Sequence, residues 1–162
     1  MKILASTCFF SEESKPRRHP LFQDLVRRHN FVVSTGTLAD TYRGIIRLRR
    51  SHPLKAVGLE LWLAEANERW PVLVGREREF LRVEAEMLEC VPLKNIWMPQ
   101  PRSTRPGFGH QVSIAATAIA YDLPIASYGV DTYAIIDSHF QLPGLIDAKT
   151  GNWVTGSKRR AA

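Results

Sequence analysis

The sequence predicts a three-layer α/β domain in which a largely parallel central sheet carries helices on both faces. Short apolar runs, each the length of one buried strand, alternate along the chain with longer segments of helical period. Residues 109–121 are rich in small apolar side chains and precede a further apolar run, residues 123–127. Alternation of this kind is typical of βαβ units, whose strands pair in parallel.

Five short apolar segments are predicted to form the strands of this sheet. They are residues 2–8, 31–33, 71–74, 123–127 and 145–147. The first is a better strand than a secretory signal, because Ser6 and Thr7 interrupt its apolar run and acidic residues follow at once.

Helices are predicted between the strands, each with an apolar stripe that should face the sheet. They are residues 21–30, 34–50, 54–70, 76–89, 109–121 and a short one within 130–136. The expected inward faces of the first three are Leu21, Phe22, Leu25 and Val26; Leu38, Tyr42, Ile45 and Ile46; and Val57, Leu61, Leu63 and Ala64. Gly58 could divide the third helix, and the proline-rich residues 90–108 are expected to be irregular.

The composition is that of one folded domain with a basic excess. The 162 residues carry a net charge of +6, which favours a polyanionic partner, nucleic acid first. We expect one domain over residues 1–154 and a basic, disordered tail over residues 155–162. No apolar run is long enough to span a membrane. Cys8 and Cys90 have neither disulfide nor metal-ligand spacing, so we expect both to be buried and reduced in a cytoplasmic protein.

Asp40 is the candidate functional acid that the local pattern singles out. Ser34 or Thr35 can cap the helix that follows the second strand, and Asp40 then lies in its second turn. Open α/β sheets place their sites at the carboxyl ends of strands, which is where this helix begins. The competing interpretation is a solvated acid that the helix dipole favours early in the helix.

Four segments, taken in order, carry a resemblance to a known family. They are residues 3–12, 37–45, 113–127 and 152–153. The second is similar to a Thr-Leu-Ala-Glu motif followed by Gly-Ile, and the third to a small-residue helix with its next strand. In this order the segments resemble the PIN-domain family, in particular the VapC-type toxins of bacterial toxin–antitoxin pairs.

The resemblance implies a function and a set of partners. Such proteins are metal-dependent ribonucleases, so it implies Mg²⁺ or Mn²⁺ held by three or four carboxylates at the strand ends. It also implies RNA as substrate, a cognate antitoxin, a homodimer and a role in plasmid stability. Residues 54–70 could line the dimer interface or receive an antitoxin helix.

The chain departs from the family pattern at the acids themselves. Ser6-Thr7-Cys8 matches the opening Asp-Thr-Asn, so Ser6 stands where the first acid belongs. Asp40 matches the second acid, and Gln111 stands at the third. A serine and a glutamine offer oxygen without charge and should leave any metal weakly held.

The fourth acid is matched only approximately. Asp131 is close, although the strict match falls at Gly129 or Thr132. We therefore predict Asp40 and Asp131 as the remaining catalytic residues, with Asp40 as the metal ligand if a metal binds. The predicted cofactor, Mg²⁺ or Mn²⁺, should bind weakly or not at all.

Other polar residues offer weaker hypotheses. Glu12 and Glu13 could be replacement ligands or simply solvated acids, and His110 could be a ligand, a base or a helix cap. Ser6 lacks the flanking glycines of a nucleophile elbow.

Basic residues could form the rim of an RNA-binding groove, or could belong to a generally basic surface. They come from three regions of the chain: Arg17 and Arg18; Arg43, Arg47 and Arg50; Arg102 and Arg105.

Two functions follow from the sequence. The first is a VapC-like toxin component, or a descendant of one, that acts on RNA with nuclease activity weakened or lost. The alternative is a non-catalytic interaction module that binds an antitoxin, RNA or a larger complex.

Overall fold

The computed structural model describes residues 1–98 and 110–156 and is built around one sheet. Its strands are β1 (Lys2–Ala5), β2 (Asn30–Ser34), β3 (Val72–Leu73), β4 (Ile125–Ser127), β5 (Leu145–Asp147) and β6 (Asn152–Thr155). Their order in the sheet is β3-β2-β1-β4-β5-β6. All neighbouring strands pair in parallel except β5 and β6, which are antiparallel. The predicted α/β class with a largely parallel sheet is confirmed.

The eight helices in the described residues are α1 (Thr7–Phe10), α2 (Pro20–Arg28), α3 (Thr35–Arg49), α4 (Pro53–Arg69), α5 (Arg78–Glu89), α6 (Lys94–Trp97), α7 (His110–Ala120) and α8 (Asp131–Asp137). Six of them follow the predicted order with small differences at their ends, and α1 and α6 were not predicted. Gly58 does not divide α4, which runs as one helix.

Side chains of β1 alternate between two cores, one on each face of the sheet. Ile3 and Ala5 pack with α1, α2, α3 and α4 in one hydrophobic cluster. Leu4 points the other way and packs with α5, α7 and α8. Since successive strand residues face opposite sides, a strand buried on both sides reads as a continuous apolar run. The result is the three-layer arrangement expected from the sequence.

The first strand is shorter than predicted and ends at Ala5. The Ser6 hydroxyl accepts a hydrogen bond from the Phe9 amide at 3.4 Å and caps α1, so the chain turns into a helix instead of continuing as a strand. This turn exposes Cys8, which we predicted to be buried. Cys90 is partly buried, and both thiols are free.

The inward face of α3 was predicted only in part, since Ile45 is buried and Leu38 packs against the same core as expected, whereas the other two residues do not. Tyr42 and Ile46 are 47% and 56% exposed, whereas Thr37, Thr41 and Ile45 are buried. Threonine can replace a larger apolar residue here because its hydroxyl bonds to backbone carbonyls, as Thr41 does to Thr37 at 2.8 Å.

The apolar stripe of α4 also lies elsewhere than predicted. Leu63 is buried as expected, but Val57, Leu61 and Ala64 are exposed, and the helix contacts the core through small Ala56 and Ala66 instead. Val26 of α2 is likewise exposed. Apolar spacing identifies stripes on a helix without showing which one faces the sheet.

Two further boundaries differ from the prediction. Residues 91–97 are not irregular, since they form a 3-10 turn (Val91–Leu93) and then α6. The predicted domain end at residue 154 falls inside β6, where Thr155 still pairs with Leu145. Residues 99–109 and the tail beyond residue 156 lie outside the described residues.

None of the helices in the described part of the chain is both long enough and apolar enough to cross a membrane.

Gly36 lets α3 approach α7 closely. A Cβ atom at this position would lie 3.2 Å from both the Cβ and the Oγ of Ser113 on α7. In contrast, a Cβ at Gly58 of α4 would meet nothing within 4 Å. The two glycines therefore separate the effect of helix propensity from the effect of packing.

We predict that Gly36→Val lowers the free energy of unfolding by about 1–3 kcal/mol, because the added side chain forces α3 and α7 apart. Gly58→Val should change it by no more than about 0.5 kcal/mol, as expected for an exposed helix position. Urea denaturation followed by circular dichroism measures both. Equal unfolding midpoints for the two variants would show that the close contact at Gly36 does not constrain the packing.

Candidate functional site

The candidate site lies at the point where the strand order reverses. Successive strands add on one side of β1 as β2 and β3, and then on the other side as β4 and β5. Ser6 directly follows β1, and Ser127 ends β4. Parallel sheets of this kind bind ligands in the crevice beyond the carboxyl ends of the strands, at such a reversal.

A cavity of about 430 Å³, called here the central cavity, occupies this crevice. Its lining residues come from β1, α1, α3, α7, β4 and α8: Ser6, Thr7, Cys8, Ser11, Asp40, Gln111, Ser127, Gly129, Thr132 and Tyr133. The structure thus brings together three of the predicted site residues, Ser6, Asp40 and Gln111. Asp131 begins α8 and is exposed, while its neighbours Gly129 and Thr132 contribute to the lining.

Asp40 is positioned by the anchored start of α3. Ser34 caps this helix by accepting from the Thr37 amide at 3.1 Å, which decides between the two predicted caps. The Thr37 hydroxyl donates to the Ala5 carbonyl at 3.0 Å and ties the first turn of α3 to the end of β1. Asp40 follows one turn later and therefore reaches the central cavity.

Asp40 forms an ion pair inside the site. Its Oδ1 lies 3.1 Å from Nη2 of Arg43, and both side chains are partly buried. The carboxylate is therefore neither a fully solvated first-turn acid nor an isolated negative charge. A positive partner at this distance offsets much of the field that would attract a metal ion.

Uncharged hydrogen-bonding groups occupy the middle of the crevice. The Cys8 Sγ lies 3.3 Å from Ser6 Oγ and 3.3 Å from Ser127 Oγ, and Ser127 Oγ also accepts from the Gly129 amide at 3.1 Å. Sequence reasoning did not single out Ser127. The available signal was its place at the end of a predicted strand. Without the strand order, this signal could not show that Ser127 lies beside Ser6.

The donor set does not fit a resident divalent cation. Among the described residues there is no group of three or more His, Cys, Asp or Glu side chains that could hold a metal. Residues 99–109 and 157–162 contain no Asp or Glu by sequence. Mg²⁺ takes one or two carboxylates in typical sites, but the single carboxylate here, Asp40, is already paired with Arg43.

His110 lies near this pair at the start of α7. Burial lowers the pKa of His110; Asp40 opposes the shift, and Arg43 adds to it. The imidazole is therefore neutral at pH 7 and can either donate or accept a hydrogen bond.

The predicted basic residues divide between two further cavities, each of which shares lining residues with the central cavity. Arg43 and Arg47 line a neighbouring cavity of about 370 Å³ between α3 and α4, which Asp40 and Ser11 also line. Arg17 and Arg18 line another cleft, which shares Cys8 and Ser11 with the central cavity. Arg50 is exposed and follows the last residue of α3, whereas Arg102 and Arg105 lie outside the described residues.

Glu12 and Glu13 have structural contacts instead of facing solvent. Glu12 is 4% exposed; its carboxylate accepts from the His19 amide at 2.7 Å and pairs with Lys15. Glu13 accepts from Arg69 and from the Trp70 indole at 3.0 Å. The hypothesis that these acids are replacement ligands loses its main support, since both carboxylates are used within the fold.

The fold resembles those of solved toxin–antitoxin complexes. FitAcB from Neisseria gonorrhoeae matches with a TM-score of 0.62 and 17% identity, covering 85% of this chain and 94% of that chain. VapBC-1 from nontypeable Haemophilus influenzae matches with a TM-score of 0.57 and 16% identity, covering 85% and 94%. VapBC2 from Rickettsia felis, bound to a promoter DNA fragment, gives 0.55 and 13%, covering 83% and 92%.

These matches support a PIN-like α/β/α fold. The sequence matches no family model, and no curated protein resembles it significantly. At these identities the likeness concerns the fold alone.

Glu12 supplies a testable prediction about the loop beside the site. Although burial alone would raise it, the pKa of Glu12 lies below its ordinary value of 4.5 because of the bonds from Lys15 and the His19 amide. The stabilisation by this carboxylate is then complete above pH 4.5 and is lost as the pH falls through the lower folded-state pKa. We predict that Glu12→Gln lowers the free energy of unfolding by about 1–3 kcal/mol at neutral pH.

Urea titrations at neutral pH and between about pH 5 and 3 measure this effect. The loss of stability on acidification should be smaller in Glu12→Gln than in the wild type. Glu65→Gln is the matched control, because this exposed acid lies 3.9 Å from Arg69 at the surface. If Glu12→Gln and Glu65→Gln behave alike, Glu12 does not stabilise the loop.

Proposed function

We propose that this protein is a toxin-like component of a toxin–antitoxin pair, or a descendant of one, that binds RNA and has lost metal-dependent cleavage or retains only a trace. The observation that carries the proposal is the chemistry of the central cavity. Hydroxyl, thiol and amide groups stand where a metal nuclease needs several carboxylates, and the single carboxylate is paired with Arg43.

The distribution of charge supports RNA as the ligand. Arg43 and Arg47 line one cavity that adjoins the central cavity, and Arg17 and Arg18 line another. Cationic side chains in cavities that adjoin the central cavity can neutralise successive phosphates of a strand bound there. Hydroxyl and amide groups in the middle offer hydrogen bonds without repelling a phosphate.

An exposed apolar stripe on α4 supports a protein partner. Leu54, Val57 and Leu61 are 88%, 53% and 64% exposed and recur at helical spacing along one side of the helix. Contiguous exposed apolar surface marks interaction sites more often than chance. This stripe also favours the alternative function, a non-catalytic PIN-fold interaction module, because it needs no chemistry in the central cavity.

The proposed loss of cleavage can be tested directly. We expect the wild type and Asp40→Ala, purified identically, to show equal trace activity on pooled RNA with Mn²⁺, since no second carboxylate supports a metal at Asp40. A fluorescence assay with a quenched oligoribonucleotide measures the rates. Cleavage that depends on Mn²⁺ in the wild type and disappears in Asp40→Ala would overturn the proposed loss of activity.

Calorimetric titration with Mn²⁺ provides an independent measurement. The wild type should show no stoichiometric binding. Gln111→Glu adds a second carboxylate to the central cavity and should make binding measurable, whereas Gln141→Glu adds the same charge at an exposed position and should not. A tight wild-type site would contradict the proposal directly.

The α4 stripe predicts self-association. We expect sedimentation velocity to show a wild-type homodimer that Leu61→Glu converts to a monomer, because a buried unpaired carboxylate is costly. Leu81→Glu on α5, where Leu81 is also exposed, should leave the dimer intact. A monomeric wild type, or a dimeric Leu61→Glu variant, would exclude the stripe as the dimer interface.

A further inference from the structure

A second cleft adjoins the central cavity at Cys8 and Ser11, and we call it the basic cleft. Its volume is about 670 Å³, which is large enough for a nucleotide. It is lined by Cys8, Ser11, Glu12, Lys15, Arg17, Arg18, His19, Tyr128 and Lys149. Its cations come from two segments far apart in the chain, the loop before α2 and the turn after β5, so the fold itself brings them together.

The positive charge of the basic cleft is only partly balanced. Glu12 is the one carboxylate in the lining, and it is already engaged by Lys15 and the His19 amide. Among the described residues, no carboxylate lies within ion-pair distance of Arg17, Arg18 or Lys149. The balance in the cleft is therefore close to three uncompensated positive charges.

Contacts within the fold hold parts of this cleft in place. The Arg18 Nε donates to the Glu13 carbonyl at 3.0 Å, and its guanidinium lies 6.0 Å from the Phe22 ring centre. Asp147, the acid nearest to Lys149 in sequence, accepts from the Lys149 amide at 2.9 Å and from the Thr150 hydroxyl. The Asp147 carboxylate therefore forms hydrogen bonds within the turn that follows β5 and does not pair with the Lys149 ammonium group.

Aromatic rings form one wall of the basic cleft. Tyr128 packs edge-on to His19, with ring centres 5.7 Å apart, and stacks on Phe9 on its other side. The Tyr128 hydroxyl is buried and has no hydrogen-bond partner among the described residues. Burial, with Glu12 and Cys8 nearby, raises the pKa of Tyr128 to about 12, so the hydroxyl keeps its proton and remains a donor.

We propose that the basic cleft binds a phosphomonoester, with the phosphate on Arg17, Arg18 and Lys149 and the attached nucleoside against His19 and Tyr128. Guanidinium groups match phosphate oxygens in pairs, and a terminal phosphate carries more charge than a phosphodiester within a strand. The group could be the 5′ end of an RNA or a free mononucleotide. The site does not depend on the proposed loss of cleavage, since none of these cations lines the central cavity.

The position of the basic cleft favours the RNA end. Cys8 and Ser11 line both this cleft and the central cavity, so the two are contiguous. A strand whose 5′ phosphate is held on Arg17 and Lys149 would therefore lead into the crevice between β1 and β4. The phosphate site rests on RNA binding, the proposed function, and adds that the protein prefers an RNA end with a 5′ phosphate to internal sequence.

Fluorescence anisotropy tests this with two oligoribonucleotides of one sequence, labelled at the 3′ end, one with a 5′ phosphate and one with a 5′ hydroxyl. EDTA is present throughout, and AMP serves as competitor. We expect the dissociation constant of the 5′-phosphorylated strand to be about tenfold lower than that of the 5′-hydroxyl strand. A ratio of this size corresponds to the net contribution of one charge-assisted hydrogen bond. Arg17→Gln combined with Lys149→Gln should reduce this preference to less than about twofold.

The control is Arg78→Gln, an exposed residue at the start of α5 on the other face of the sheet, which should leave the preference unchanged. If AMP binds in a manner that needs Arg17 and Lys149 while RNA shows no end preference, the phosphomonoester is that of a free nucleotide. Equal binding of both strands together with no binding of AMP would overturn the proposal. That outcome would leave RNA binding, the proposed function, standing, whereas failure of both strands to bind would contradict the proposed function.

Discussion

The hydrogen bond from the Thr37 hydroxyl to the Ala5 carbonyl couples the sheet to the helix that carries Asp40. It is buried and joins residues 32 positions apart, at the carboxyl end of β1. Ser34 caps the same helix end, and Gly36 allows α7 to approach it. Through these three residues, α3, α7 and β1 meet in one place, and the central cavity is the space they leave.

The negative charges in and beside the central cavity are each paired with a nearby cation, whereas several positive charges around it have no such partner among the described residues. Asp40 is offset by Arg43, and Glu12 by Lys15, so the acids near the crevice are neutralised by neighbours three residues away. The remaining cations line the two adjoining cavities. An arrangement of this kind repels a free divalent cation and attracts a polyanion, which is the opposite of what a carboxylate-lined nuclease site does.

Most of the fold could be predicted, because alternating strands and helices determine the layers and the apolar runs mark the strands. Details that depend on packing could not. Tyr42 and Ile46 form a well-spaced apolar stripe on α3, yet the core receives Thr37 and Thr41, whose hydroxyls bond to backbone. Cys8 was predicted to be buried because the turn made by Ser6 was not recognised as a helix cap.

The site could be predicted only in part, and for a related reason. Ser6, Asp40 and Gln111 were identified from the order of motifs and do meet in one cavity. Ser127, Tyr128 and Lys149 were not singled out, since their part in the site depends on β4 and β5 lying beside β1. Strand order is a property of the whole chain, and no local pattern reveals it.

The edge strand β3 has a consequence for how molecules of this protein behave at high concentration. It contains only Val72 and Leu73, so that margin of the sheet exposes very few free amides and carbonyls. A strand from another molecule would gain little by pairing there, because ladders of one or two bonds cannot offset the entropy of docking. The short strand thus protects this margin against edge-to-edge aggregation.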